Sequence, residues 1–415
     1  MSTAGAFVFP DNLAALATCR ELGRAGIPVT VLSARPGPAA YSRFARFVQV
    51  PDFYRDADAW ADAVTELADR CDQTPVLLPT EDAALLVADR YHTRLSPRLR
   101  YPCPAPGTLE KIVDKRRLYE AATRCGLFAP RCIDPADDGL PTELPADTEW
   151  LAKPPCRYVL DGNEVRTFLS ITGGSKALDG DVVGAAARVR AAGFPVMVQE
   201  KIPGPFEELV SVGIAIDRTG EVRAAFTARK ACEYPEPFGD GLLVENIDDP
   251  DPGLIDMAAR LLRETGYWGI CDVEFKRDPR DGRFKLLDAN PRVWLWLQLG
   301  AAAGAPMALW AHALACAEPA PAQAPATGRN RGRYPVWVSP RGFAAFMATS
   351  YRPGRHGLRL PLRLTLGALR TILGNLAEFH DPLYLRPSAW RDIAQAVARR
   401  SGLRPPVPAR GSADG

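Results

Sequence analysis

Lysine is scarce in this chain. Only eight of its 51 basic residues are lysine, so surface charge is written almost wholly as arginine. A compact ammonium is not interchangeable with a planar guanidinium, so each lysine that remains is a stronger candidate than usual for a ligand contact. Lys115, Lys153, Lys176 and Lys230 fall in segments that read as ligand contacts, whereas the side chains of Lys111, Lys201, Lys276 and Lys285 read as surface groups. Histidine is scarcer still, at four, and the nine cysteines are scattered without a C-x-x-C pair. That argues against a zinc site or a disulfide framework and fits a reducing cytoplasm. No run of about 18 apolar residues occurs, so no membrane span is expected. The opening residues, MSTAGAFVFPDNLAAL, lack a basic segment followed by a long apolar one, so no signal peptide is expected. The first strand–helix turn, FPDN, has no G-x-G-x-x-G, which argues against dinucleotide binding. What is present is ordinary: 47% hydrophobic and 24% charged residues, the composition of a soluble globular protein. A length of 415 residues exceeds a single core and predicts two to four domains.

The net charge of +2 conceals an asymmetry. From Ala320 onward there are fifteen arginines, no lysine and four acidic residues, a net +11, which leaves −9 on the rest. Such a tail suits nucleic acid or anionic lipid. No aromatic-and-basic RNA motif or recognition helix accompanies it, so docking onto the acidic body of the same chain is the favoured reading.

Along the first hundred residues, strands at 6–9, 27–32, 47–50 and 76–78 alternate with helical patterns. One of these begins at the capping residue Asn12, and another carries Trp60, Val64, Leu67 and Cys71. This alternation predicts a doubly wound parallel sheet. Pro102, Pro104 and Pro106 close that unit. A helical stretch follows at 108–126, then a linker at 134–148 and a strand at 150–153 that stops at proline. Next come a small-residue loop at 172–176, strands at 196–200 and 208–216, and an amphipathic helix at 254–265. Residues 317–328 are a flexible spacer. Leu362, Leu366, Leu369, Leu373 and Leu376 form a helical stripe, read as core or partner-facing rather than as a membrane anchor.

The most informative stretch is 271–292, CDVEFKRDPRDGRFKLLDANPR. Pro279 and the Asp281–Gly282 pair supply turn chemistry between two strands. Alternation puts Asp272, Glu274 and Lys276 on one face, and Asp288 and Asn290 on a face with Phe284 and Leu286. A hairpin closed around 278–282 makes Glu274 and Asp288 direct or diagonal neighbours. Two adjacent carboxylates repel unless a proton or cation lies between them. With an amide oxygen they suit Mg²⁺. Charges that simply face water are the competing reading.

The order of the segments VDKRR, WLAKPP, VQEKIPG, FEELVSVG, ARK with EYPEPFGDG, GICDVEFKRD and KLLDANPR resembles the ATP-grasp superfamily. The likeness is to carboxylate–amine ligases close to carbamoyl-phosphate-synthase-like proteins. It covers about residues 75–312, and the opening strands with SRFARFVQVP fit a pre-ATP-grasp domain. The fold class it implies is α/β (α+β ATP-grasp), with an N-terminal Rossmann-like domain at 1–106 and an ATP-grasp domain at 107–316 whose small lobe is about 150–203. A linker at 317–328, a C-terminal Arg-rich helical or mixed domain at 329–403 and a disordered tail at 404–415 complete it.

The resemblance makes Lys115 and Lys153 the lysines on the ATP phosphates. Glu200, Lys201 and Ile202 become the hinge whose backbone meets the adenine, and Glu208, with Glu207 as its rival, the carboxylate on the ribose. Glu274, Asp288 and Asn290 are the implied metal ligands. Arg292 is implied to stabilise developing negative charge, and Lys176 and Lys230 are further phosphate contacts, Lys230 within the catalytic set. Relatives mostly carry Glu where Asp288 stands, so this ligand reaches one methylene less. Trp294 and Trp296 line the acceptor pocket or pack in the core. The segment 231–242, with Gly239 and Gly241 as hinges, is a candidate lid.

The chemistry so implied is ATP-dependent formation of an amide from an amino acid or similar carboxylate, through an acyl phosphate, releasing ADP and phosphate. The cofactors are ATP and one or two Mg²⁺, with Mn²⁺ as a substitute. The partners are small carboxylate and amine substrates, without nucleic acid or membrane span, in the cytoplasm. An acidic carrier protein at the Arg-rich tail and a homodimer stay open. The rival readings are activation of bicarbonate, for which no biotin-carrier motif is present in the chain, and non-catalytic nucleotide binding.

Overall fold

The computed structural model describes residues 4–101, 106–133, 144–168, 177–178, 181–234, 240–251, 253–317, 336–353 and 359–379. The loop at 172–176 with Lys176, nearly all of the 317–328 spacer, and the 404–415 tail lie outside them.

The chain opens with β1 (Ala6–Phe9), α1 (Leu13–Arg24), β2 (Val29–Ser33), β3 (Ala45–Gln49), α2 (Ala57–Asp69), β4 (Val76–Pro79), α3 (Asp82–Arg90) and α4 (His92–Leu95). The strands form a parallel sheet ordered β3-β2-β1-β4, as the alternation predicts. Asn12 caps α1, its side-chain oxygen accepting from the Ala14 and Ala15 N–H groups. β1 and β4 are buried throughout, as strands covered on both faces must be. The chain leaves β1 toward β2 on one side and returns to β4 on the other. The carboxyl ends of β1 and β4 therefore flank a crevice, the usual place for a ligand in such sheets.

The helix expected at 108–126 is broken into α5 (Glu110–Val113) and α6 (Lys115–Arg124). Asp114 lies between them, extended, and its carboxylate accepts from the Arg116 N–H at 2.9 Å. A second N-cap thus starts a new helix with Lys115 as its first residue. Then come β5 (Cys132–Ile133), β6 (Trp150–Lys153), β7 (Tyr158–Asp161), β8 (Glu164–Thr167), α7 (Val182–Ala191) and β9 (Met197–Glu200). Strands β5-β9-β6 make a small antiparallel sheet that buries Trp150, Ala152 and Val198 against Ala185, Ala186 and Val189 of α7. The hairpin β7–β8 instead leans on the N-terminal domain, through Val165 N–H to the Tyr54 carbonyl and Ala57 N–H to the Asn163 carbonyl.

The larger lobe contains β10 (Leu209–Ile216), β11 (Val222–Tyr234), β12 (Asp240–Ile247), α8 (Leu254–Thr265), β13 (Gly269–Arg277), β14 (Phe284–Asn290), α9 (Gln298–Ala302) and α10 (Met307–Cys316). Beyond it lie β15 (Val336–Val338), α11 (Pro340–Thr349) and α12 (Arg359–Phe379). The sheet runs β14-β13-β10-β11-β12-β15, antiparallel throughout. The apolar face of α8 falls on it as its spacing predicts, and Gly266, at φ 73°, ends that helix in the left-handed conformation.

The described part of the Arg-rich region does not stand apart. β15 adds an edge strand beside β12, and Phe346 and Leu364 pack with Tyr234 and Leu242 in one cluster. Arg363 pairs with Glu245 of β12, a contact between the basic tail and the acidic body. The leucine stripe turns outward: Leu362, Leu366, Leu369 and Leu373 are exposed, while Leu364 and Ala368 face the core. The Leu376 side chain is outside the described set. Of the segment 231–242, residues 231–234 end β11 and 240–242 begin β12, and the turn between them, the core of the candidate lid, lies outside the described residues. Gly239 is not described. No helix among the described residues is long and apolar enough to cross a membrane.

Candidate active site

β13 and β14 meet in register with Asp272 opposite Asn290 and Glu274 opposite Asp288. The two carboxylates are direct neighbours. The register then slips, Phe275 pairing with Leu286, so Leu287 is the extra residue of a bulge. This overturns the expected facing of the second strand. Phe284 and Leu286 enter the core with Phe275, while Leu287 and Asp288 both border the site. One inserted residue reverses the alternation, because strand side chains repeat every second residue.

A cavity of about 1050 Å³ lies between the small sheet and the large one. Lys115, Lys153, Arg157, Lys230, Glu274 and Asp288 border it, as do the apolar residues Leu151, Ile202, Phe206, Leu209 and Leu287. Each carboxylate is held by one lysine. Lys115 Nζ lies 2.6 Å from Asp288 Oδ1, and Lys230 Nζ 2.7 Å from Glu274 Oε1. Burial works against Asp288 ionising, but Lys115 and Arg157 hold its pKa below the usual carboxylate range. Lys230 is only 6% exposed, and burial would lower it, yet Glu274 and Asp272 raise it above the ordinary lysine value. Among the described residues Lys153 has no such pairing. Burial, reinforced by the like charge of Lys115, pushes it down to about 7.

Asn290 lies against both acids, its Nδ2 3.4 Å from Glu274 and from Asp272, and its Oδ1 accepts from Arg292 Nη2 at 3.1 Å. Asp272, singled out in sequence only for its face, is 2% exposed. Burial and the neighbouring Glu274 raise it to about 7. Two opposed carboxylates are hard donors of the kind Mg²⁺ prefers, so Glu274 and Asp288 fit that ion, whereas Asn290 turns its N–H groups to the acids and its oxygen to Arg292. Among the described residues no group of three or more His, Cys, Asp or Glu forms a metal cluster.

At the hinge, Lys201 and Ile202 border the cavity. The Glu200 side chain turns away, accepting from Arg280 Nη2 at 2.7 Å and the Arg131 N–H at 3.0 Å. Lys276, read from sequence as a surface residue, donates to the Ile202 and Gly204 carbonyls at 3.0 and 2.9 Å and holds the hinge in place. Lys285 is likewise no surface group, pairing at 2.7 Å with the buried Asp278. Glu207 and Glu208 lie in a 3₁₀ turn, Phe206–Glu208, and neither borders the cavity, whereas Glu233 of β11 does. Trp294 and Trp296 stand in the core against Phe226 rather than at the cavity. Arg292 does not border the cavity either; its Nε donates to Asp82 of α3 at 2.6 Å.

No family model matches the sequence. A D-aspartate ligase of Enterococcus faecium (strain Aus0004) is 23% identical over 274 residues, 61% of this chain and 62% of that one. The matched region thus spans less than two thirds of the curated relative. Among solved structures, N5-carboxyaminoimidazole ribonucleotide synthetase in complex with ADP superposes with a TM-score of 0.59 at 17% identity, over 81% of this chain and 82% of that one. The biotin carboxylase of Campylobacter jejuni gives 0.58 at 14% identity, over 78% and 73%. The L-amino acid ligase of Bacillus licheniformis gives 0.53 at 15% identity, over 76% and 75%. With its N-terminal parallel sheet, its two-lobed cleft and these structural neighbours, the chain has the fold of the ATP-grasp superfamily.

Proposed function

We propose that this protein is an ATP-dependent carboxylate–amine ligase that joins an amino acid or related small carboxylate to an amine. The observation that carries the reading is the facing pair Glu274 and Asp288, each on a lysine, in the wall of a cleft between two lobes. The sequence relative named a D-aspartate ligase supports the amide-forming class.

A carboxylate is a poor acylating agent at neutral pH. Attack of its oxygen on the γ-phosphorus of ATP, with the β–γ bridging oxygen leaving on ADP, converts it to an acyl phosphate. An amine then displaces phosphate. The reacting groups are both anionic, so cations must offset their repulsion. Lys115 and Lys153 would hold the phosphate chain, and Lys201 and Ile202 would line the adenine end. Glu274 and Asp288 would hold Mg²⁺, with Mn²⁺ as a substitute, and Asn290 would join them on turning its Oδ1 from Arg292 to the ion. The ion would supply charge neutralisation and orientation to the β- and γ-phosphates. Lys230, 2.7 Å from Glu274 Oε1, holds that side chain in place. Lys276, by fixing the Ile202 and Gly204 carbonyls, fixes the distance between the two ends of the nucleotide site.

The test is an ADP-release screen over pairs of amino acids and amines, followed by mass spectrometry of the product. ADP release that requires both a carboxylate and an amine supports the reading. Release that requires only bicarbonate would assign the site to carboxylation, and nucleotide binding without release under any pair would make it a non-catalytic binder.

A further inference from the structure

Two arginines share one carboxylate beside this site. Asp82, the first residue of α3, accepts from Arg292 Nε at 2.6 Å on one oxygen and from Arg157 Nη2 at 2.7 Å on the other. Beyond that carboxylate their surroundings diverge. Arg292 gives Nη1 to the Val293 carbonyl at 3.2 Å and Nη2 to Asn290 Oδ1 at 3.1 Å, so all three of its guanidinium nitrogens act on the protein itself. Arg157 borders the large cavity beside Lys115 and Lys153. It also borders a second void of about 10 Å³, shared with Lys115, Asp288 and Asp82.

The backbone holds Arg157 there. Its carbonyl accepts from the Phe168 N–H at 2.8 Å, and the preceding Pro155 carbonyl accepts from the N–H of Lys115 at 3.1 Å. The hairpin it begins is tied to the N-terminal domain at Tyr54 and Ala57. One carboxylate shared between two guanidiniums neutralises neither fully, and Arg157, with Asp288 as a further acidic neighbour, is the one of the two that borders the cavity. A planar guanidinium beside two lysines is a geometry that recognises phosphoryl oxygens.

We propose that Arg157 is the guanidinium that touches the phosphoryl group in transit, with Asp82 as the positioning residue that aims it and Arg292 as the brace of Asp82 and Asn290. This rests on the ATP-dependent reading above. As a carboxylate oxygen bonds to the γ-phosphorus and the bond to the departing ADP oxygen breaks, Arg157 donates N–H groups to the non-bridging oxygens, and no proton changes hands.

The test is equilibrium binding to the full chain of Mg²⁺ with the β,γ-imido analogue of ATP, compared with Mg²⁺ and ADP, because only the former carries a γ-phosphate. Arg157→Ala is expected to weaken the analogue about tenfold and ADP less than about twofold, as loss of a charged hydrogen bond to one phosphate requires. Millimolar guanidinium ion is expected to restore part of the loss. Asp82→Asn is expected to show the same selective loss to a smaller degree, and Arg292→Lys to keep the wild-type ratio. Equal loss of both nucleotides in Arg157→Ala, no loss, or a selective loss in Arg292→Lys alone overturns the proposal. Should Arg157→Ala fail to fold, Arg157→Lys carries the same comparison. The measurement needs no turnover, so a wild type that releases no ADP would refute the ligase reading and leave this comparison standing.

Discussion

Glu274 and Lys230 allow the stability of the site to be separated from its chemistry. Lys230 is buried, with Nζ 2.7 Å from Glu274 Oε1. Removing one partner of a buried pair leaves an uncompensated charge and typically costs about 3–5 kcal/mol. Asp272 also supports Lys230, which puts Glu274→Gln near the lower end, about 3 kcal/mol. Glu274→Gln combined with Lys230→Met removes both charges of the pair, leaves Asp272 to Arg292, and is expected to regain most of that, ending within about 1 kcal/mol of wild type. The double variant still lacks the carboxylate proposed to hold Mg²⁺, so substrate-dependent ADP release is expected to fall by about 10³-fold in both proteins. Urea unfolding followed by tryptophan fluorescence reads the first quantity, and a coupled ADP assay the second. A stable double variant with wild-type turnover would refute the role given to Glu274. A single variant as stable as wild type would refute the buried-pair reasoning.

Three further outcomes follow from burial and packing. Lys153 is held down to about 7, so at pH 8 it is mostly neutral, and a triphosphate beside it favours the ammonium. Binding of ATP is therefore expected to take up close to one proton, about 0.9, at pH 8 and almost none at pH 6. Calorimetry in buffers of different ionisation heat measures this, and equal heats at pH 8 would contradict it. Glu21, buried between α1 and α10 with its carboxylate accepting from the Leu309 N–H, is raised by burial to about 8. Its folded value lies above its unfolded one, so the folded state keeps the proton longer, and stability is lost as pH rises from about 4 toward 8. Glu21→Gln should flatten that part of the pH–stability curve, by up to roughly 4 kcal/mol at pH 8, and parallel curves for the two proteins would contradict it. A Cβ on Gly213 would lie 2.3 Å from the Phe226 ring and 2.9 Å from Trp294, so Gly213→Ala is expected to destabilise by about 1–3 kcal/mol in urea unfolding.

Legibility in the sequence followed the range of the interactions. The Glu274–Asp288 pairing could be read because one tight turn sets it. The N-terminal strand–helix order could be read because caps and apolar spacing are local signals. The facing of Phe284 and Leu286 could not, since a single bulge residue at Leu287 reverses alternation without any composition signal. Asp114 reads equally as a helix residue or as a cap, and only the placement of Lys115 against Asp288 shows why the helix must restart there. Lys276 and Lys285 look like surface lysines in a charged hairpin, but their partners, the hinge carbonyls and Asp278, bury them. Arg157 and Asp82 carried no motif. They are 75 residues apart and meet only because a hairpin of the small lobe crosses to the N-terminal domain. The tryptophans after Arg292 were equally consistent with pocket or core, and the stacking of Trp294 on Phe226 decides for the core.

Isotope transfer reports whether the cleft activates a carboxylate as its acyl phosphate. Once the screen has found a productive pair, the carboxylate substrate is supplied with ¹⁸O in both oxygens and the released phosphate is analysed by mass spectrometry. Acyl-phosphate chemistry puts one labelled oxygen in the phosphate for each amide formed. Phosphate free of label, with amide still produced, would contradict it.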